Sequence, residues 1–513
     1  MTIKLNRKWV ILTLAILALT VAVSAGKRQS LDKFSSFWGP LYTFTPQASP
    51  SGQTNDDLVH IANASRNMLV RWNRIAVDAS GIDHTPVAPG EKRVFGEQLG
   101  PCRAARAEAI VHIAMFEALN ALDGSFQSYV GLYPATPKTF RDVAIAQAAH
   151  DSLVGLFPSQ QARFDSFLAQ DLSQISDGRK KRNGIALGRE AAFATLALRD
   201  HDGSQTKEPR VGTDFITSDA PGKWRQDPIS VIPIALGAHW PDVTPFVLQS
   251  SNQFRTPVPP DMTSAAYATA YNEVKRLGGD GVNTPTERTA EQTQIALYWA
   301  YDGTPSLCAP PRLYNQIAVL IADQMGTDDV GLARLLALVN VAMADAGIAV
   351  WESKYFYNVW RPITGIREAD AGTGPTGLGD GNDATTCDPT FMPLGAPASN
   401  LTGPNFTPPF PAYPSGHAGF GGALFEMLRN FYGKDNIPFT FTSDELNGTT
   451  KDNKGNTRPL LPRSFATFSQ AAEENGQSRI YLGIHWSYDK TEGIAQGRKV
   501  ADWVFTHAFL PAE

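Results

Sequence analysis

Residues 327–360 read as one long helix, and no other feature constrains the fold as strongly. Segments 104–122, 139–156, 159–175 and 180–199 are also built from strong helix formers. The first ends at Asp123-Gly124 and the last near Asp202-Gly203, both helix stops. A second cluster of helices is expected at 262–278, 286–301 and 310–325. Strand-like alternation is scarce, no repeat of fixed period stands out, and there is no coiled-coil heptad. The expectation is an all-α protein whose helices pack as a bundle.

Three irregular stretches interrupt the helices. Residues 204–261, rich in Pro, Ser and Asp, divide an N-terminal helical half (27–261) from a C-terminal one (262–513). Residues 368–413 are crowded with Gly, Pro and Asn, and 442–463 read as a loop or small hairpin. Loops this long in a compact protein are often functional. With 42% hydrophobic and 19% charged residues, the 513-residue chain has a globular composition and not a disordered one. Its net charge of -5 gives no sign of a nucleic-acid partner, so an anion site would have to be built from a few local cations.

At the N-terminus, Lys4, Arg7 and Lys8 precede an apolar run that ends at Val23-Ser24-Ala25, the layout of a secretory signal peptide over 1–26. The alternative is an uncleaved anchor, which alone would bring the protein to a membrane; either way the body is exported. No later segment is expected to be long and apolar enough to span a bilayer. Cys102, Cys308 and Cys387 are too few and scattered for a disulfide framework or a zinc site, though one bridge is open to them.

Chemistry concentrates in three pieces. In PPFPAYPSGHAGFGG (408–422), Pro414 breaks what precedes it and Ser415 is a preferred N-cap. The helix start offers free N–H groups to an anion, Gly416 permits close backbone approach, and His417 can exchange a proton. In KYFYNVWRP, Lys354 and Arg361 stand seven residues apart, expected on one helix face together with Trp351 and Asn358. Tyr355, Phe356, Tyr357, Val359 and Trp360 mark the segment as largely buried, and buried cations need partners. In SRIYLGIHWSYD, Gly483 offers a break between Arg479 and His485, while Asp489 and Glu492 resemble a helix start. Three cations, a helix N-terminus and two histidines form a kit for holding a tetrahedral or trigonal-bipyramidal oxyanion.

Two other readings fit the residues less well. Glu108 and His112 lie one turn apart on a helix, but di-iron bundles use Glu-x-x-His twice. A catalytically silent scaffold would have to keep a costly set of buried charges without a use.

K-x6-R-P, P-S-G-H and S-R-x5-H-x3-D, in this order, resemble the signature of the superfamily that joins vanadium-dependent haloperoxidases to acid phosphatases. Lys354, Arg361, Pro362, Pro414, Ser415, Gly416, His417, Ser478, Arg479, His485 and Asp489 match it position by position. NFTPPFPAYPSGHAGFGGALFEMLRNFYG, YWAYDGTP, DAGIAVWESKYFYNVWRP and AHDSLVGLFPSQQ are similar to the chloroperoxidase-like branch. The resemblance implies two packed helical bundles with the active site in the C-terminal one. It implies a vanadate cofactor held by His485, with Lys354, Arg361, Ser415, Gly416 and Arg479 on its oxygens. His417 would be the acid–base, Lys354 would polarise bound peroxide, and Asp302 would pair with Arg479. Halide and hydrogen peroxide would give hypohalous acid for an organic acceptor. The halide expected is chloride or bromide, and Trp351 and Phe410, which resemble the aromatic pair beside the cofactor in fungal chloroperoxidase, favour oxidation of the harder one. The same kit also suits a phosphohydrolase with His485 as nucleophile and His417 protonating the leaving group. The signature alone does not separate the two; the long His417–Ser478 interval, Trp351 and Phe410 favour the haloperoxidase.

Overall fold

A computed structural model describes residues 33–46 and 64–512; the expected leader at 1–26 lies outside them. The architecture is all-α apart from one small hairpin. After a short helical stretch at 33–38, the N-terminal helices are α1 (Ala64–Asp83), α2 (Pro101–Asp123), α3 (Arg141–Leu156), α4 (Gln161–Ser173) and α5 (Arg179–Leu198). The long irregular stretch follows. Then come α6 (Ala265–Leu277), α7 (Ala290–Tyr298), α8 (Pro310–Gln324), α9 (Asp329–Tyr357) and the short α10 (Pro362–Arg367). The chain closes with α11 (Gly416–Tyr432), α12 (Phe468–Tyr481) and α13 (Ser487–His507). Strands β1 (Phe439–Phe441) and β2 (Arg463–Phe465) pair antiparallel, Phe439 facing Phe465, and flank the expected loop at 442–463.

Helix α9 is the axis of the molecule. Asp328 caps its start by accepting the Gly331 N–H at 2.7 Å. Almost every residue from Leu332 to Lys354 is buried, so the helix is apolar all round and needs cover on every side. Helices α2, α8, α11 and α13 supply it. Contrary to the sequence expectation, α9 is long and apolar enough to cross a membrane, but 94% of its most apolar window is buried inside the protein. It is a core helix.

The end of α9 corrects a second expectation. The helix stops at Tyr357 and does not run on to 360, because Asn358 turns left-handed (φ 56°) and returns its N–H to the Lys354 carbonyl at 2.8 Å. Arg361 is then the N-cap of α10, and Pro362 begins that helix where it was expected to end one. Lys354 and Arg361 therefore do not share a helix face. Phe356, expected among the buried aromatics, is 56% exposed.

Helices α11 and α13 cross at very close range. A Cβ on Gly497 would lie 2.1 Å from the Gly419 carbonyl oxygen, and one on Gly422 would lie 2.7 Å from that of Ile494. Only glycine allows this approach, which brings the start of α13 against the start of α11. There the Ser415 N–H donates to the Asp489 carbonyl at 2.9 Å.

Candidate active site

Ser415 caps α11 as expected, its hydroxyl accepting from the Ala418 N–H at 3.5 Å. Gly416 opens the helix, with the Trp351 ring 3.1 Å from where its Cβ would stand. His417 follows in the first turn. Its carbonyl accepts from Tyr314 OH (3.0 Å) and Asn475 Nδ2 (2.9 Å), and its Nε2 donates to the Ala300 carbonyl at 2.5 Å. Nδ1 is left as the lone-pair nitrogen. Burial, then the nearby Arg479, holds its pKa well below the ordinary histidine value.

Arg479 lies in the last turns of α12. Gly483 (φ 73°) then breaks the path, and His485 sits in the turn before α13. The convergence expected from that break is realised. His485 Nδ1–H donates to Asp489 Oδ2 at 2.8 Å, and Nε2 accepts from Arg361 Nη1 at 2.9 Å. Asp489 also accepts the Trp486 N–H at 3.0 Å, so one carboxylate caps α13 and fixes the imidazole. Burial pushes the Asp489 carboxyl up to about 7 despite that bond and the cations Lys354 and Arg361. Burial, Arg361 and Lys354 hold His485 neutral.

The cations are wholly inside the protein. Lys354, Arg361 and Arg479 are 0%, 1% and 0% exposed. Lys354 Nζ donates to the carbonyls of Pro411 (2.9 Å), Ala412 (3.0 Å) and Pro414 (2.5 Å), and burial followed by Arg361 holds its pKa well below the usual lysine value. Arg361 donates Nε to the Phe410 carbonyl and Nη1 to the Ile484 carbonyl, both at 2.9 Å. Burial lowers its pKa to about 9. Arg479 pairs with Asp302 at 2.5 Å, the contact the resemblance implied. Asp302 Oδ1 also lies 3.9 Å from His417 Nε2, and burial raises its pKa against the pull of Arg479.

Among the described residues, Arg361 Nη2, Arg479 Nε and Arg479 Nη1 are buried with no hydrogen-bond partner. A buried N–H without an acceptor is costly, about 1–3 kcal/mol each and more when charged. Three such donors beside His485, whose Nε2 accepts only from Arg361 Nη1, ask for an oxyanion. The residues present fit vanadate: guanidinium nitrogens for its oxygens and a neutral imidazole nitrogen for the metal.

Above this floor lies a cavity of about 50 Å³. Trp351 and Phe410, both singled out in the sequence, line it with ring centroids 4.9 Å apart and planes tilted by 54°. Phe410 also faces the cations, its centroid 5.1 Å from Lys354 Nζ. Sequence reasoning missed the rest of the wall, notably Trp38, Leu236 and Phe406. The aromatic density of FSSFWGPLYTF was the available signal for Trp38; Leu236 gave none. The Leu236 carbonyl accepts from Trp351 Nε1 (3.0 Å) and Tyr355 OH (2.9 Å), so the irregular stretch positions the aromatic wall.

The remaining candidates fall away from this centre. His112 is held between the Glu108 carbonyl (2.7 Å) and the Asn73 side-chain amide (2.8 Å), as a packed core histidine is. Cys102, Cys308 and Cys387 are free thiols, so the bridge open to them is not formed.

Residues 334–511 match the model of the VCPO second helical-bundle domain. The chain is 29% identical over 500 residues to the vanadium chloroperoxidase of Curvularia inaequalis, covering 82% of this chain and 79% of that protein. Its fold is similar to that of a bacterial vanadium-dependent iodoperoxidase (TM-score 0.66, 24% identity, 86% of this chain and 97% of that one). A holo-type bacterial vanadium-dependent chloroperoxidase is also similar (TM-score 0.58, 15% identity, 82% and 94%). With the signature in order and its residues gathered at one centre, residues 334–511 carry the second helical-bundle domain of the vanadium chloroperoxidases, and the chain as a whole is similar to vanadium haloperoxidases in sequence and fold.

Proposed function

We propose that this protein is an exported vanadate-dependent haloperoxidase that oxidises chloride or bromide with hydrogen peroxide to hypohalous acid. The observation that carries the reading is the set of unpartnered guanidinium nitrogens around His485 Nε2, roofed by Trp351 and Phe410. In this reading His485 Nε2 ligates the metal. Lys354, Arg361, Arg479, Ser415 and the Gly416 N–H hold the oxygens, and Lys354 can leave its three carbonyls for a charged acceptor. Bound vanadate supplies a Lewis acid that activates hydrogen peroxide toward halide without changing oxidation state.

The side chains do the rest. His417 Nδ1, unprotonated because Nε2–H is committed to Ala300, takes a proton from incoming peroxide. Asp489 keeps the Nδ1 proton on His485, so that Nε2 stays the ligating atom. Trp351 and Phe410 exclude water, so a halide enters the cavity poorly hydrated and more readily oxidised.

The test is a paired assay on metal-stripped protein. One half receives orthovanadate, peroxide and chloride or bromide with a halogenation-reporting dye; the other receives a phosphate ester alone. The expected result is vanadate-dependent halogenation that His485→Ala abolishes. Ester hydrolysis without halogenation at any vanadate level would overturn the reading. It would instead assign the Asp489–His485 pair to nucleophilic attack on phosphorus, since that geometry serves both reactions.

A further inference from the structure

The cavity shares a wall with a second, larger chamber, a cleft of about 1230 Å³. Phe37 lines both. Leu99 faces the cleft and Gly100 the cavity; Ile234 faces the cleft, and Ile232 and Leu236 the cavity. Three segments distant in sequence thus contribute neighbouring residues to the two linings. The cleft can hold a drug-sized molecule, which needs roughly 300–1,000 Å³, whereas the cavity holds little more than peroxide and an ion.

The chemistry of the cleft points to its occupant. Apolar residues of α3 and α5 line one part of it, among them Phe193, which is 74% exposed despite its size. Six lining residues are basic and three acidic, in a chain of net charge -5. Arg103 is paired with Glu208, and Arg106 and Arg199 share Asp202. Lys207 and Arg210 are exposed at the cleft and form no ion pair among the described residues.

We propose that this cleft binds the organic acceptor of the oxidised halogen, and that the acceptor is an electron-rich aromatic carboxylate. Its ring would lie on the apolar face and its carboxylate toward Lys207 and Arg210. The proposal rests on the haloperoxidase reading. Hypohalous acid passing Phe37 reacts with the ring: a C–X bond forms and a C–H bond breaks. The halogen is reduced from +1 to −1 with the electron pair of that C–H bond. The ring proton leaves with the hydroxide of the hypohalous acid as water.

The test compares 6-hydroxy-2-naphthoate with neutral 2-naphthol, in the vanadate-loaded full chain and with reagent hypobromous acid. The expected result is saturation by the carboxylate, and an enzymatic preference for it at least about tenfold above that of the reagent. The double variant Lys207→Glu/Arg210→Glu should remove that preference while leaving tribromide formation from bromide and peroxide unchanged. Rates linear in both naphthols, with the selectivity of the free reagent, would overturn the proposal and mean that the oxidant leaves the protein before it reacts. A protein that forms no oxidised bromine fails the haloperoxidase reading instead. Fluorescence titration with 6-hydroxy-2-naphthoate, without peroxide, then still decides whether the cleft binds the carboxylate and whether the double variant loses it.

Discussion

Asp489 shows how much one buried carboxylate can decide. It caps α13 and fixes His485 but forms no direct ion pair with Lys354 or Arg361, so its loss should weaken the anion site without dismantling it. Asp489→Asn should lower vanadate affinity about 10–100-fold, the usual effect of removing a partner of a metal-ligating histidine. Equilibrium titration of stripped protein with orthovanadate reads it, and an unchanged affinity would deny Asp489 that positioning role. His112 makes a separate prediction about stability. Burial lowers its pKa from 6.5 to about 4, and the facing Glu108 carboxyl, 3.8 Å away, is itself raised by burial. Below pH 6.5 the unfolded chain takes up a proton that the native state refuses until about pH 4. Stability therefore falls as pH drops through that window, by up to about 3 kcal/mol. In urea unfolding at pH 7 and pH 4.5, His112→Gln should lose most of that difference. At this scale the signature residues were legible because their charge and spacing are unusual in so apolar a chain. The carbonyls of Pro411, Ala412 and Pro414 around Lys354 were not, since a backbone acceptor leaves no mark on residue identity.

Among the elements, the instructive error is the continuation of α9 to residue 360. The composition through Trp360 is helix-compatible, and the left-handed turn at Asn358 is selected by tertiary packing: the Asn358 carbonyl accepts from Trp224 and the Trp360 N–H donates to Gly222. That turn aims Arg361 at His485. Helix α12 was also missed beyond its last residues, because FSQAAEENGQSRIY is polar and has no strong apolar stripe. The helices of the N-terminal half were legible within a few residues from their formers and stops, except α1. The glycines at the α11–α13 crossing give this scale its prediction. Gly497→Ala puts a methyl group into the Gly419 carbonyl and must separate two helices that both carry site residues. It should destabilise the fold by about 1–3 kcal/mol, as overpacking does, and lower halogenation more than it lowers helicity. Calorimetry and circular dichroism beside the dye assay check both; a neutral effect would mean that the crossing relaxes freely.

In the whole molecule, the expected boundary at residue 261 is crossed by contacts that the site depends on. Asp345, fully buried in α9, accepts the N–H groups of Phe246 (2.6 Å), Val247 (2.8 Å) and Leu248 (2.9 Å). The Leu236 carbonyl holds Trp351, and Arg255 pairs with Glu352. A fragment of residues 262–513 contains every signature residue but loses the α2 cover of α9 and the Leu236 and Arg255 partners of Trp351 and Glu352. Expressed alone, it should keep much of its far-ultraviolet helix signal, lose near-ultraviolet structure and bind no vanadate. A cooperatively folded, vanadate-binding fragment would show that the N-terminal half is dispensable. None of these contacts was legible in advance, since residues 204–261 carry no periodic pattern that could have aligned them with α9.

The same clasp has a consequence in time. Leu236 waits for Trp351 across 115 residues, and Arg361 for His485 across 124. Contacts of such sequence separation close late, after local helices have formed. On a ribosome or in a refolding buffer, helicity will therefore precede the pocket by a distinct interval. A chain halted before α12 holds most of its helices but lacks Arg479, His485 and Asp489.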